Sequence, residues 1–452
     1  MVSDGRTALS LNVGLDMRLL LFTLMVTLAT ALLFGTIPAF RATRVQVTDS
    51  LKQGRGQTGG SSKGPLARAL VVLQVALSLV LLVGAGLFVR ALMNLNNVDT
   101  GFNKENVIRL RVDPSSAGYK EDTRLENLYR QIEQRVSAIP GVRAASFSIF
   151  TFNEGTWNNS VWVQGYPEGH RDVAVHHNAV GDGYFAAMGI PVLAGRTFGP
   201  QDSATSPKVG VIGETMARTL FPAGSPIGKH YGRGGADHAG DIEVIGVVKD
   251  VKYNSLDEPA QPGDYLPYSQ NVRYLNDFEV RYSGDSAAMV AAIRQAIHDV
   301  DFTLPVSDVT TLDEQVARSV TTQRLVAQLS SFFGVLAMFL SCIGIYGLMS
   351  YVVSRRTNEI GVRMALGAKP VDVLWLVMRE SLLLVAAGTA IGVPVALAAQ
   401  RLVASMLFGL RPNEPVTLVG GVGLLLLVAA LAGYLPARRA SRIDPMISLR
   451  YE

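Results

Sequence analysis

Cysteine is nearly missing from this chain: there is one in 452 residues, Cys342, inside an apolar run. A single cysteine excludes an intrachain disulfide and a cysteine-based metal cluster, and its plain reading is a small buried hydrophobe. Charge is scarce too. Soluble domains carry about a quarter charged residues; this chain carries 17%, with 48% hydrophobic. The 41 basic and 37 acidic residues leave a net charge of +4, a modest excess whose placement matters more than its sum.

A nucleotide loop is also lacking. "AGSPIGKHY" (223–231) has one residue too few between Gly224 and Gly228, and His230 stands where Ser or Thr would hold magnesium. Catalytic pairs are equally thin. His176 and His177 are adjacent, so on a strand they point to opposite faces and make poor joint ligands; a place at a strand edge is expected. Asp237 and His238 read as solvated turn residues, and the sequon Asn158-Asn159-Ser160 has no meaning without a glycosylating host. Arg379 and Glu380 read as interfacial, snorkelling residues, with a proton path as the rival.

Long apolar runs, by contrast, are plentiful. A spanning helix needs about 20 mostly apolar residues. Stretches 19–40, 69–89, 325–353, 381–399 and 416–436 qualify, which predicts five spans. The first lacks a small-residue cleavage site and is read as a span rather than a leader. Positive charge collects in three boundary segments: Arg41 to Arg68, Arg355 to Lys369, and Arg438 to Arg450. Five spans put these on one side, which the positive-inside rule makes cytoplasmic. Residues 93–324 then lie outside.

The first span exits as "GTIPAFRATRVQVTDSLKQG" (35–54), and the chain closes as "GYLPARRASRIDPMISLRYE" (433–452). Gly35, Pro38, Ala39, Arg41, Ala42, Arg44 and Leu51 match Gly433, Pro436, Ala437, Arg439, Ala440, Arg442 and Leu449, which implies a duplicated unit. The expected division is therefore 1–44, the last span of a first unit; 45–66, a flexible cytoplasmic linker rich in Gly, Ser and Gln; and 67–92, a span. The external domain 93–324 and a three-span domain 325–452 complete it.

Within the external block, 106–113, a helix burying Leu125, Leu128, Ile132, Val136 and Ile139, and 142–150 form one β-α-β-like set. Residues 277–283, a helix through Met289, Ile293 and Ile297, and 305–312 form a second. An insertion, about 166–274, holds "KVGVIG" and "EVIGVVKDV". Together these predict a layered α+β domain. Thr311 and Glu314 form a capping box opening one helix over 312–354, about 60 Å long, whose outer half would stand above the bilayer as a stalk.

The segment between the third and fourth spans is polar yet carries Ile360, Val362, Met364 and Leu366, and is bounded by Gly367 and Pro370. A short cytoplasmic helix here could take a push from a soluble partner; a plain polar turn is the alternative. "SRRTNEIGVRMALGA" (354–368) resembles the coupling-helix signature of MacB/FtsX-type ABC transporter permeases. "RALVVLQVALSLVLLVGAGLFVRAL", "GIYGLMSYVVSRR", "GDGYFAAMGIPVLAGRTF" (181–198) and "LFPAGSPIGK" (220–229) are similar to other parts of these permeases, and the duplicated ADOP type is the nearest in pattern. Gly213 departs from it, standing where Asn is usual.

The resemblance implies an α-helical membrane protein with five transmembrane helices and a large α+β periplasmic domain, made of porter-like βαβ units plus an inserted Sabre-like subdomain. It implies a non-catalytic permease of the bacterial inner membrane that binds no cofactor or metal itself. Mg-ATP would sit on a separate MacB/LolD-like ATPase, whose closure moves the periplasmic domain to drive efflux. Its ATPase-coupling element, 354–369, would comprise Arg355, Arg356, Asn358, Glu359, Ile360, Gly361, Arg363, Leu366, Gly367 and Ala368. Glu359 and the arginines would make polar contacts, and Gly361 and Gly367 would allow close approach. A homodimer or a pairing with another permease half, the lipid bilayer, and no nucleic acid complete the expected partners. An FtsX-like activator of a cell-envelope enzyme and a truncated remnant are the other expectations.

Overall fold

The computed structural model describes residues 17–43, 64–164, 173–222, 224–402 and 415–441. Most of the expected linker 45–66, together with Arg44, Leu51, Arg442 and Leu449 of the repeat, lies outside them. The chain forms two units, Met1–Ala67 and Arg68–Glu452. The first contains α1 (Met17–Thr43).

In the second unit, alternation along the strands decides the layers. β1 (Val107–Val112) sends Ile108, Leu110 and Val112 to one face, and β10 (Asp277–Tyr282) sends Phe278, Val280 and Tyr282 to the same face. Against it pack α3 (Thr123–Ser137) and α6 (Ser286–Val300). Leu125, Leu128, Ile132 and Val136 of α3 are buried as expected, joined by Tyr129, while Ile139 lies past the helix end and only partly buried. Each full burial of this kind stabilises by roughly 1.5–3 kcal/mol. Asp122 caps α3 by accepting from the Arg124 and Leu125 amides.

The two β-α-β sets interleave. β10 lies between β1 and β2 (Val142–Ser148), and β1 lies between β10 and β11 (Val306–Thr311), every neighbour antiparallel. Each set is thus a split βαβ with the other set's strand between its own. The opposite sheet face is buried but polar. Arg109, 1% exposed, bonds Asp277 (2.6 Å) and Asp308 (2.5 Å) there, beside α4 (Tyr184–Met188).

Single-residue pairing of Ser148 with Val180 joins this sheet to β4 (Ala174–Val180). From β4 the strands return on themselves. The order β4, β3 (Trp157–Val163), β7 (His230–Arg233), β8 (Ile242–Val248), β6 (Val209–Gly213), β9 (Gly263–Pro267) closes when β9 pairs β4. β5 (Val192–Gly195) lies alongside β8. Val161, Val175, Ile212, Val244 and Leu266 fill the ring, with Met216 and Leu220 of α5 (Glu214–Leu220). The inserted subdomain therefore starts at Trp157, ahead of position 166. His176 and His177 are not at an edge: β4 has neighbours on both sides and both rings are buried.

The single helix expected over 312–354 is interrupted. α7 (Leu312–Ser319) stops at Val320 (φ −105°, ψ 15°), and α8 (Thr321–Arg355) begins after it, about 52 Å of helix. Thr311 does accept from the Glu314 amide (3.2 Å), but Glu314 reaches Thr310 rather than returning to Thr311. Val320 is 3% exposed in a core shared with Leu95, Phe102, Val107, Leu312 and Val316, and that anchoring sets the break.

Four helices among the described residues are long and apolar enough to cross a membrane: α2 (Gly64–Asn96), α8, α10 (Pro370–Leu402) and α11 (Pro415–Ala440). α1 holds a shorter apolar stretch, Leu20–Leu32. Small residues let these helices approach. Gly388 and Gly392 of α10 face α2 so closely that a Cβ would meet Val75 at 2.7 Å and the Ala76 carbonyl at 3.0 Å. Ser78 and Ser341 hydrogen-bond across α2 and α8 at 2.8 Å. Cys342 is only partly buried on α8.

Candidate functional site

The polar segment 355–363 spans the end of α8 at Arg355, the joint residue Arg356 (φ −101°, ψ 16°) and a short helix, α9 (Thr357–Ala365). The amide of Ile360 donates to the Arg356 carbonyl (2.9 Å), so α9 grows directly out of the bend. Its far end is a Schellman turn: the Ala368 amide donates to Arg363 O (3.0 Å) and that of Gly367 to Met364 O (3.1 Å). Gly367 takes φ +96°, where side chains are strained, and a Cβ would meet nothing within 4 Å, so backbone conformation alone asks for glycine. Pro370 then opens α10, and the Asp372 carboxylate accepts from the Lys369 amide (3.1 Å).

This geometry divides the expected contact residues. Glu359, Arg363 and Leu366 face outward, Leu366 being 82% exposed, and Val362, which is not among the expected residues, does so too. Ile360 is 2% exposed and Gly361 is buried, so these two root α9 rather than present it. Glu359 and Arg363 pair one turn apart (2.7 Å), and Arg355 lies over the Tyr351 ring (5.4 Å). Beyond Gly367, Val371 and Trp375 of α10 are also exposed. Sequence reasoning left both out; their spacing of four, on a helix following the polar segment, was the available signal.

Contrary to expectation, Glu380 does not snorkel to solvent. It is mostly buried and holds two cations from other elements: Arg68 of α2 and, at 3.5 Å, Arg356 at the bend. Arg379 beside it is exposed. The Arg439 guanidinium donates to the Tyr346 hydroxyl (3.2 Å), tying α11 to α8. The result is a short, polar, partly apolar helix whose base is held by ion pairs and packing among neighbouring helices. Such a surface suits docking rather than bond-making chemistry. Residues 224–231 run into strand β7 rather than a helix, unlike a phosphate-cradling loop.

A family model described as "MacB-like periplasmic core domain" matches residues 69–300, and one described as "FtsX-like permease C-terminal" matches 331–445. The chain is 29% identical over 296 residues to a macrolide export ATP-binding/permease protein MacB of Marinobacter nauticus, covering 63% of this chain and 44% of that protein. It is 27% identical over 300 residues to the uncharacterized ABC transporter permease YknZ of Bacillus subtilis, covering 64% and 72%. A MacB of Hahella chejuensis is 30% identical over 301 residues, covering 63% and 44%. The chain thus spans less than half the length of the MacB relatives it matches. Among solved structures, the periplasmic region of MacB from Actinobacillus actinomycetemcomitans aligns at 17% identity and a TM-score of 0.34, covering 51% of this chain and 99% of that one. The extracellular domain of YknZ from Gram-positive bacteria aligns at 20% and 0.30, covering 45% and 100%.

Proposed function

Because the chain belongs to the family of ABC transporter permeases built from a MacB-like periplasmic core domain and an FtsX-like C-terminal domain, we propose that it converts the motion of a separate ATPase into movement outside the membrane. In this reading the chain sits in the inner membrane with α1 as a fifth crossing. α9 lies in the cytoplasm, and residues 93–324 lie in the periplasm. Mg-ATP is bound and hydrolysed by the partner, and the work done is export. Two of the relatives are named for macrolide export, which makes an amphiphilic cargo the first class to try.

The observation carrying this reading is the continuity from α9 outward. A docked partner would press on Glu359, Val362, Arg363 and Leu366. The pinned root passes that load to α8, which runs about 52 Å into the core containing Val316 and Val320. No side chain along this path makes or breaks a bond; each holds position or transmits load.

The test begins with topology. Single cysteines at 359 and 366, in a Cys342→Ser background, should react with a membrane-impermeant maleimide from the cytoplasmic face only. Labelling confined to the other face defeats the proposal. With topology established, Leu366→Asp should abolish co-purification of an ATPase from the native host while leaving the chain's thermal unfolding unchanged.

A further inference from the structure

The six-stranded ring carries a pocket that α9 does not use. Its volume is about 610 Å³, within the range of small-molecule sites. Trp157, the half-exposed first residue of β3, forms one wall, and Leu266 and Pro267 continue it as apolar surface. The guanidinium carbons of Arg233, ending β7, and Arg273, following β9, lie over the indole ring at 4.7 and 4.8 Å from its centroid. A guanidinium stacked this way keeps its N–H donors free in its own plane.

Two of those donors meet no acceptor. Among the described residues neither guanidinium meets a carboxylate, and Arg233 Nη1 and Arg273 Nε are buried with no hydrogen-bond partner. Two cations brought to one ring without an anion is an unfavourable arrangement. Lys208 adds a third positive charge to the lining. The one lining carboxylate, Asp241, is already engaged by His238 (3.0 Å) and Lys208 (3.7 Å).

Behind the indole the support is rigid. The His177 ring sits 5.1 Å from that of Trp157, and its Nδ1 is 2.5 Å from Asp264 Oδ1. The Tyr231 hydroxyl donates to Asp264 Oδ2 at 2.6 Å. All three side chains are fully buried in the ring. A floor locked by a buried network and walls of uncompensated donors describe a preorganised site.

We infer that this pocket binds an organic carboxylate with a flat apolar body. The body lies along Trp157, Leu266 and Pro267, and the carboxylate accepts from Arg233 and Arg273. An inorganic anion would leave the apolar wall wet, and a neutral aromatic would leave the arginines without acceptors. The inference stands on the ring alone and is independent of ATPase coupling.

Isothermal titration of the full chain in nanodiscs would use indole-3-acetate, its neutral isostere indole-3-acetamide, and inorganic phosphate. Saturable indole-3-acetate binding is expected, weakened about tenfold or more in Arg233→Gln and in Arg273→Gln, as loss of a charge-assisted bond implies. The acetamide should bind the parent protein at least tenfold more weakly, a comparison that needs no variant to fold. Three results would overturn the inference: no saturable indole-3-acetate binding, equal binding of the acetamide, or folded variants that bind like the parent. Phosphate competing at equal strength would also overturn it, by reducing the pocket to a plain anion site.

Discussion

Glu133 of α3 shows how one side chain can make the external domain sensitive to pH. Its carboxylate accepts from the Phe147 amide (3.0 Å) and the Tyr268 hydroxyl (3.2 Å). Burial outweighs both bonds and, helped by Asp182, pushes its pKa from 4.5 to about 7. Between those values the folded chain holds a proton that the unfolded chain has released, so stability falls as pH rises through that window. Burial raises Glu279 and Asp277 as well, adding to the same trend. Thermal unfolding followed from pH 5 to pH 8 should show this decline, and Glu133→Gln should make it shallower and gain about 1–3 kcal/mol at pH 8. An unchanged slope in the variant contradicts the assignment. Gly213 marks where residue-level reading stops. It stands where the resembling permeases usually carry Asn, and α5 is capped from 35 residues away. Asp250 accepts from the Thr215 amide (2.9 Å) and hydroxyl (2.6 Å), and a Cβ at 213 would stand 2.7 Å from Asp250 Oδ1. Glycine makes room for a borrowed cap, which no local pattern reports.

At the scale of elements, the long apolar helices and the strands of the external domain were legible because period and hydropathy are local properties. The break at Val320 was not. No Pro or Gly marks it, and it follows from burying Val320 beside Leu95 and Val316. Ring closure by β9 on β4 and the interleaving of the two βαβ sets are pairings between distant strands, equally invisible to periodicity. The short helix α9 was legible from its charges and its bounding Gly367 and Pro370, but its anchoring was not. Glu380 joins partners 312 and 24 residues away. Close helix contact is the element-scale property most open to test. Gly388→Leu would drive a side chain into Val75 and the Val72 carbonyl, at a cost of about 1–3 kcal/mol for overpacking. Gly423→Leu places the same side chain where nothing lies within 4 Å of a Cβ. Unfolding of the detergent-solubilised chain should therefore weaken for the first and stay near the parent for the second. Equal behaviour of the pair would mean that α2 and α10 are not packed at Gly388.

For the whole molecule, the two helices that bracket the external domain enter it at one place. Leu95 near the end of α2 shares its apolar core with Leu312 and Val316 of α7 and with Val320 ahead of α8, while Lys104 and Asp313 pair at 3.1 Å over the same junction. Further in, Ser78 and Ser341 hold α2 against α8, and Glu380 ties both to the bend above α9. On the proposed reading, load applied at Leu366 travels outward through α8, because packed interiors pass displacement on rather than absorb it. Four glycines inserted after Val320 should cut that route without disturbing the split βαβ layer or the ring, since both sit before it in the chain. With the partner ATPase and vanadate present, spin labels at 366 and at the exposed position 302 should change separation in the parent. In the insertion variant the inner label should still respond to the partner while the change in separation disappears. If the separation changes equally in both proteins, load reaches the outer domain by a path other than α8, and α2 becomes the transmitting element.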